Sequence, residues 1–182
     1  MERPNSPIIK VSELYQTCIV VRDLEKSMEH YRNVLGIGAW EIIHCDPSVI
    51  SDMMYRGRPV TRPFQYRAAL TMVGPMQLEL IQPIEGDLLY SDFLNEHGEG
   101  LHHLGHLRVQ NLDEGVQAFE KAGFSCLQRG RFMHVGFAYM DTTKALGFIL
   151  ELLDLPEGVP VLGVSGKIAN IGSADGGGCT TV

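Results

Sequence analysis

The chain has 182 residues, of which 45% are hydrophobic, so it is long enough to bury a core of its own. Its formal net charge of -7 argues against nucleic acid as a partner, because phosphates attract surfaces rich in lysine and arginine. No apolar run approaches the roughly 20 residues that cross a bilayer, and the N-terminal stretch MERPNSPIIKVSE lacks the apolar segment of a secretory signal. We therefore expect a cytoplasmic protein that binds a small molecule and contacts neither nucleic acid nor membrane.

The first predicted elements are a strand and a helix. In the stretch VVRDLEKSMEHYRNVLGI, residues 20–37, Leu24 and Met28 begin an apolar stripe at helical spacing. Asp23 is placed to accept a hydrogen bond from the first free N–H groups of the helix, and Gly36 is typical of a helix end. The sequence therefore predicts a strand that leads into a capped helix.

A long irregular stretch follows in the first half of the chain. Residues 42–63, IIHCDPSVISDMMYRGRPVTRP, have no clear period, and we predict a loop that covers a cleft. Arginines in and after this loop are candidates to meet a carboxylate or phosphate of a substrate, unless they form a solvated basic surface. These arginines are Arg56, Arg58, Arg62 and Arg67.

The next segments end the first repeat and lead to the second. Residues 78–83, LELIQP, alternate in polarity and predict a strand that carries Glu79 on one face. Residues 84–100, IEGDLLYSDFLNEHGEG, place acidic and glycine-rich turns around a short helix predicted over 88–96. This segment is therefore interpreted as a linker.

The second half repeats the pattern of the first. Residues 108–124, RVQNLDEGVQAFEKAGF, align with the first strand and helix, and Asn111 replaces the capping aspartate. Residues 150–156, LELLDLP, echo the earlier strand and place Glu151 at the position of its glutamate. Each half is thus predicted to fold as strand, helix and three strands, so the chain contains two βαβββ modules.

Four segments make up the predicted organisation. The first module spans residues 12–83, the linker 84–100, the second module 101–156 and a glycine-rich C-terminal tail 157–182. The fold class is α+β, with two tandem modules that form a curved sheet around a cup. The tail has no periodicity, and we expect it to be loose or to dock on a partner.

Three polar side chains lie at positions where burial is costly. Alternation along LYQTCIVV places Gln16 on the same face as Cys18, away from the helix. Glu79 and Glu151 lie between leucines in apolar strands, where an unpaired carboxylate has a large desolvation cost. A bound cation would offset that cost. The alternative is a half-exposed sheet on which both glutamates face solvent.

The paired modules resemble a known family through four motifs in order: CIVVRDLEKSMEHYRNVLGI, MQLELIQP, GEGLHHLGHLRV and ILELL. They are similar to the vicinal oxygen chelate superfamily, which includes glyoxalase I, methylmalonyl-CoA epimerase and the bleomycin-resistance proteins. The resemblance covers most of the chain and implies a cup-shaped sheet, commonly in a homodimer. It also implies four metal ligands on the first and last strands of the modules. Carried over by position, these ligands are Gln16, Glu79, His103 and Glu151.

The histidine of this set depends on the geometry of one strand. Strict alternation back from Val109 directs His102 and His106 into the cup and His103 toward the helix. Compared with the family, the strand has one extra residue, and a β-bulge at Gly105 would turn His103 into the cup. We therefore predict His103 as the ligand, His106 as the second choice, and the neighbouring histidines as spacers or supporting groups.

The predicted ligand set indicates the chemistry. One imidazole, two carboxylates and an amide oxygen suit Zn²⁺, Ni²⁺, Co²⁺ or Mn²⁺ with positions left for a substrate. The resemblance implies a metal-dependent lyase or isomerase, of the glyoxalase or epimerase type, that removes a proton next to a metal-chelated carbonyl through an enediolate. Glu151 and Glu79 are the paired candidates for taking and returning that proton.

Departures from the family leave the substrate open among a thiohemiacetal, an acyl-CoA and a specialised metabolite. Val20 replaces the arginine that binds glutathione in glyoxalase I, and Pro83 replaces the asparagine after its metal-binding strand. Gln16 stands where the epimerase has a histidine, and the second catalytic glutamate of the epimerase falls near Ala68 or Ala69. Neither named reaction is therefore carried over unchanged.

Two other functions are considered. A metal-free protein of the bleomycin-resistance type would keep the cup and bind a small molecule without chemistry. An Fe(II) ring-cleaving dioxygenase needs two histidines and one carboxylate, so it would require His106 or His102 as a further ligand.

Overall fold

The structure is a computed structural model and describes residues 6–11, 14–155 and 180–181. Its helices and strands are β1 Gln16–Val20, α1 Leu24–Leu35, β2 Glu41–Cys45, β3 Ile50–Tyr55, β4 Arg58–Pro59, β5 Gln65–Val73, β6 Met76–Glu85, α2 Leu89–His97, β7 Gly100–Val109, α3 Leu112–Lys121, β8 Cys126–Phe132, β9 Val135–Met140, α4 Thr143–Leu146, β10 Ile149–Asp154 and β11 Thr180–Thr181.

The strands of the described residues form one sheet, in the order β11-β2-β5-β6-β1-β7-β10-β9-β8-β3-β4. At its centre β1 is parallel to β6 and antiparallel to β7, and β7 is parallel to β10. Strands from both halves line a common cavity on the inner side of the curved sheet. The predicted α+β fold with two tandem βαβββ modules is thus confirmed.

The two crossover helices begin as the sequence predicts. The carboxylate of Asp23 accepts a hydrogen bond of 2.9 Å from the backbone N–H of Lys26, and α1 ends at Gly36 with a φ of 69°. In the second module the amide oxygen of Asn111 accepts a hydrogen bond of 3.1 Å from the backbone N–H of Glu114. These caps satisfy N–H groups that have no partner within the helix, so both helices start at equivalent points of the repeat.

Three groups of buried apolar side chains hold the fold together. Leu24 and Met28 of α1 pack with Leu80 behind the first module, and Leu112 and Val116 of α3 occupy the equivalent place behind the second. The third group fills the inside of the cup and also receives apolar side chains from α2. Helices α1 and α3 therefore cover the outer face of the sheet and leave the inner face for the site.

Residues 42–63 are not a loop, which corrects the prediction. They contain the end of β2 together with β3 and β4, and β3 pairs with β8 of the second module. The pairing is irregular between Ser51 and Met54, where Asp52 has a φ of 52°. Ile50 and Met53, the buried residues of β3, are consequently three positions apart, which hides the alternation of a strand.

Two predicted segments remain, the short helix of the linker and the C-terminal tail. Helix α2 begins and ends one residue after the predicted 88–96 helix. The predicted tail over 157–182 lies outside the described residues except for β11, which pairs with β2. Within the described ranges, no helix has both the length and the apolar character needed to cross a membrane.

Candidate metal centre

The four predicted ligands lie on four neighbouring strands at the centre of the sheet. Nε2 of His103 in β7 is 3.2 Å from Oε1 of Gln16 in β1. The same nitrogen is 3.5 Å from Oε2 of Glu79 in β6 and 3.7 Å from Oε2 of Glu151 in β10. Oxygens of three side chains therefore lie within 3.7 Å of one buried imidazole nitrogen.

The convergence depends on an irregularity in β7. In the pairing of β7 with β10, Leu150 lies opposite Leu104 but Leu152 lies opposite Leu107, so β7 has one residue more than β10 in this interval. The extra residue falls in the Gly105–His106 pair, which confirms the predicted bulge. The imidazole of His103 faces the cup as a result, whereas the side chain of His106 lies outside the described part of the chain.

Gly105 also provides room for the site. A Cβ atom at this position would be 2.8 Å from Oε1 of Gln16 and would overlap Oε2 of Glu151. Real Cβ atoms do not approach oxygen so closely. The absence of a side chain at Gly105 therefore lets the amide and the carboxylate point at His103.

The amide of Gln16 is oriented by Gln77, a neighbour that is not among the predicted ligands. Nε2 of Gln16 donates a hydrogen bond of 2.8 Å to Oε1 of Gln77 in the adjacent strand β6. With the amide nitrogen engaged in this way, Oε1 of Gln16 is turned toward His103. Gln77 lies two residues before Glu79 in a strand, so alternation along β6 was the signal that places it on the same face.

Cys18 is a second neighbour of the site whose role is not evident from the sequence. It is fully buried and hydrogen-bonds through its thiol to the Glu79 carboxylate. Burial raises the pKa of Glu79 to about 7, and the Cys18 hydrogen bond acts in the opposite direction. Burial, followed by the charge of Glu79, raises the pKa of Cys18 well above its ordinary value. Cys18 is therefore a thiol that donates to Glu79 rather than a thiolate.

His102 hydrogen-bonds to the ring nitrogen of His103 that does not face the other candidate ligands. The two Nδ1 atoms are 2.8 Å apart, so one ring donates to the other. When His103 is the donor, the lone pair of its Nε2 is free to face Gln16 and the two carboxylates, as a metal ligand requires. His102 is buried beside Tyr90 and Phe93, and this burial lowers its pKa to about 3. His102 is therefore neutral and positions the ring of His103.

Cys18, His102 and His103 form another cluster whose possible ligand atoms lie within 4.8 Å of one another. This cluster shares His103 with the four-residue set. The hydrogen bond between the two histidines occupies Nδ1 of both rings, whereas Nε2 of His103 points at the oxygens of the other set. The geometry therefore favours the set of Gln16, Glu79, His103 and Glu151 as the candidate centre.

A cavity of about 90 Å³ opens next to these side chains. Its walls are mainly apolar and aromatic and come from both modules. The hydroxyl oxygens of Tyr90 and Tyr139 lie 2.8 Å apart in a buried hydrogen bond, and burial raises the pKa of both tyrosines well above the ordinary value. Ala68 lines the cavity, whereas Ala69 packs behind the sheet with α1. The wall of β5 therefore adds no carboxylate at the position of the epimerase glutamate.

The arginines of the first module do not meet at this cavity. Arg67 bonds to Glu25 of α1, behind the sheet, although both of its chain neighbours have side chains directed into the cup. Nη2 of Arg56 is 3.1 Å from Oδ2 of Asp92, and its side chain is 56% exposed. The expectation that Arg67 binds a charged group of the substrate is therefore wrong, because strand alternation turns it to the outer face.

Replacing His103 by alanine should reduce the metal content of the purified protein more than replacing His106 by alanine. The reason is that the oxygens of three other residues surround Nε2 of His103, so its loss removes the nitrogen at their centre. Inductively coupled plasma mass spectrometry of both variants measures this difference directly. The reverse order would move the ligand assignment to His106.

Comparisons with known proteins agree with the architecture. Residues 15–143 match the Glyoxalase/Bleomycin resistance protein/Dioxygenase superfamily. Mouse mitochondrial methylmalonyl-CoA epimerase is 25% identical over 118 residues, which cover 64% of this chain and 57% of the mouse protein. The chain thus matches little more than half of the length of that relative.

Solved structures give the same picture of the fold. A hypothetical protein from Bacillus halodurans is 18% identical with a TM-score of 0.56, and the match covers 82% of this chain and 98% of that one. Methylmalonyl-CoA epimerase from Streptomyces coelicolor, in complex with 2-nitronate-propionyl-CoA, is 17% identical with a TM-score of 0.53 and coverage of 79% and 97%. At these identities the structures support the fold alone.

Proposed function

Because the chain belongs to the glyoxalase/bleomycin resistance/dioxygenase superfamily, we propose that it is a metal-dependent enzyme that removes a proton from the carbon next to a chelated carbonyl. The observation that carries the proposal is the convergence of Gln16, Glu79 and Glu151 oxygens on Nε2 of His103. Methylmalonyl-CoA epimerase, one of its relatives, is an isomerase, which favours an isomerase over a lyase.

The residues present fit a divalent cation. His103 and Glu151 are buried, and the Glu79 side chain is only 13% exposed, so two carboxylates lie in a site where their negative charge is poorly solvated. Carboxylates in such surroundings are stabilised by pairing with a cation. The nitrogen and oxygen donors suit Zn²⁺, Ni²⁺, Co²⁺ or Mn²⁺, and the space at Gly105 lets the donors point together.

The proton-transfer roles fall to the two carboxylates. When bound, the cation would supply Lewis acidity, which polarises a carbonyl and makes the neighbouring C–H more acidic. Glu151 in β10 and Glu79 in β6 approach the site from opposite sides of the β1 and β7 pair. This placement allows Glu151 to take a proton on one side and Glu79 to return it on the other.

The surrounding groups support this chemistry. The apolar walls of the cavity limit the access of water to the reacting carbon, which strengthens the interactions of the carboxylates. The Tyr90 and Tyr139 hydroxyls are close enough to hydrogen-bond to each other and offer neutral donors to a substrate oxygen. These features favour proton transfer over simple binding.

Metal content is the direct test of the proposal. The protein should hold about one divalent ion per chain and lose it to a chelator. Reloading at a free metal concentration one hundred times Kd should raise Tm by about 5 to 10 °C, because an ion that binds only the folded protein stabilises it. Mass spectrometry for metals and calorimetry before and after chelation provide both measurements.

Failure of this test has a defined meaning. A protein that neither retains nor takes up Zn²⁺, Ni²⁺, Co²⁺ or Mn²⁺ would contradict the proposal and would favour a metal-free binding protein of the bleomycin-resistance type. A loaded protein that catalyses no exchange of substrate protons with D2O would contradict the enzymatic part alone.

A further inference from the structure

We propose that the substrate is a neutral α-hydroxycarbonyl compound with short apolar substituents, and that the site disfavours a free carboxylate or a CoA thioester. The inference rests on the proposed function, since it assumes that Gln16, Glu79, His103 and Glu151 hold a divalent cation. It goes further because it separates this chain from its relatives by the charge of the substrate.

The charge of the donor set is the first reason. His103 and Gln16 contribute neutral donors, whereas Glu79 and Glu151 each contribute one negative charge. Two carboxylates balance a divalent cation completely. A substrate that chelates through its own carboxylate would leave a net negative charge in a buried site, and such a charge is costly to desolvate.

The cavity next to the donors offers nothing to neutralise that charge. Among the described residues that line it, none is lysine or arginine. Its lining includes Tyr66, Tyr90 and Tyr139, which carry neutral hydroxyls, and most of the remaining lining is aliphatic or aromatic. Neutral hydroxyls hydrogen-bond well to carbonyl and hydroxyl oxygens but give a carboxylate no opposite charge.

Arg67 and Arg129, on two strands that border the cavity, are turned away from it and engaged elsewhere. Arg67 of β5 bonds to Glu25 of α1, and Arg129 of β8 bonds to Asp113 at the start of α3. Both acidic partners belong to helices on the outer face of the sheet. Alternation along a strand therefore removes these positive charges from the cup.

The size of the cavity and the net charge of the chain also favour a small neutral substrate. The cavity next to the donors has a volume of about 90 Å³ and a mainly apolar lining, so it suits short apolar substituents. The net charge of the chain is -7, which disfavours the approach of the several phosphates of a CoA ester. A small neutral molecule avoids this repulsion and fits the apolar lining of the cavity.

Acetoin and lactate form a matched pair of probes for this inference. Both have a hydroxyl on the carbon next to a carbonyl group and the same number of heavy atoms, and they differ by a methyl group against a carboxylate oxygen. Added to the full-length protein loaded with Co²⁺, each reports its binding through the visible absorption of the ion. We expect acetoin to bind at least about tenfold more tightly than lactate, since the charged probe adds an unbalanced charge.

The outcomes separate the inference from the proposed function. Lactate that binds as tightly as acetoin overturns the neutral substrate class, and so does acetoin that leaves the spectrum of a fully loaded protein unchanged. In both cases the proposed function survives. A protein that takes up no Co²⁺ overturns the proposed function and the substrate class together.

Removing one negative charge from the donor set tests whether charge causes the preference for acetoin over lactate. In Glu79→Gln the remaining donor set is one unit more positive, so the ratio of the lactate Kd to the acetoin Kd should fall at least about tenfold. An unchanged ratio in a variant that still holds Co²⁺ overturns the charge argument. Glu151→Gln removes the same charge from the other side of the site and repeats the measurement if Glu79→Gln loses the ion.

Discussion

Glu151→Gln is expected to lower the rate of substrate proton exchange by about 10³-fold while the protein remains folded, because the substitution removes a base and keeps the size of the side chain. Glu151 is buried in β10 within 3.7 Å of Nε2 of His103. Proton exchange in D2O, followed by nuclear magnetic resonance on a reactive substrate, measures the loss. Near-normal exchange would remove Glu151 from the mechanism.

The stability of the same variant distinguishes a functional from a structural carboxylate. In the metal-free protein, Glu151→Gln removes a poorly solvated charge that lies near a second carboxylate, Glu79. Its Tm should therefore equal or exceed that of the metal-free wild type. Glu29→Gln, an exposed change on α1, should alter neither exchange nor Tm and serves as the control. A large fall in Tm for Glu151→Gln alone would indicate that the carboxylate is needed for folding.

Much of the fold could be predicted because local patterns and the repeat agree. Asp23 and Asn111 cap equivalent helices, and the apolar stripes that begin at Leu24 and Leu112 pack behind equivalent parts of the sheet. Such signals are local, so the sequence shows them without the tertiary structure. The pairing of β3 with β8 joins two halves of the chain, and no local pattern contains that information.

Asp52 explains why the sequence of β3 does not look like a strand. Its left-handed backbone interrupts the strand, so the buried side chains of Ile50 and Met53 are three positions apart instead of two. A spacing of three does not match the period of a strand, so the sequence alone favours a loop here. An interrupted strand of this kind is recognisable only from its partner.

The proximity of Gln16, Glu79, His103 and Glu151 could be predicted from the sequence, whereas their neighbours Gln77 and Cys18 could not. Glu79 and Glu151 stand out because an unpaired carboxylate in an apolar strand has a high desolvation cost. The bulge at Gly105 explains why the side chain of His103 faces the cup. Gln77 and Cys18 do not stand out, since a polar residue and a small apolar one are ordinary in a strand. Their roles follow from pairing across strands, which places Gln77 beside Gln16 and Cys18 beside Glu79.

Gly105→Ala should weaken metal binding without unfolding the protein. The new Cβ would lie 2.8 Å from Oε1 of Gln16 and would overlap Oε2 of Glu151, and both atoms are at the ends of flexible side chains that can move aside. The backbone can therefore stay in place while two donors are displaced. We expect metal affinity to fall about 100-fold, the upper end of the effect of disturbing groups that orient ligands. Competition with a chelator of known affinity measures the change.

Gly100→Ala is the matched control, because Gly100 lies in the same strand and an added Cβ there meets no atom within 4 Å. Its metal affinity and Tm should stay close to the wild-type values, since a glycine in ordinary strand conformation accepts a methyl group without strain. If Gly105→Ala binds metal as tightly as Gly100→Ala, the oxygens of Gln16 and Glu151 cannot both be ligands in the arrangement that the strand bulge creates. If both variants lose metal equally, the effect belongs to β7 as a whole and not to the space at Gly105.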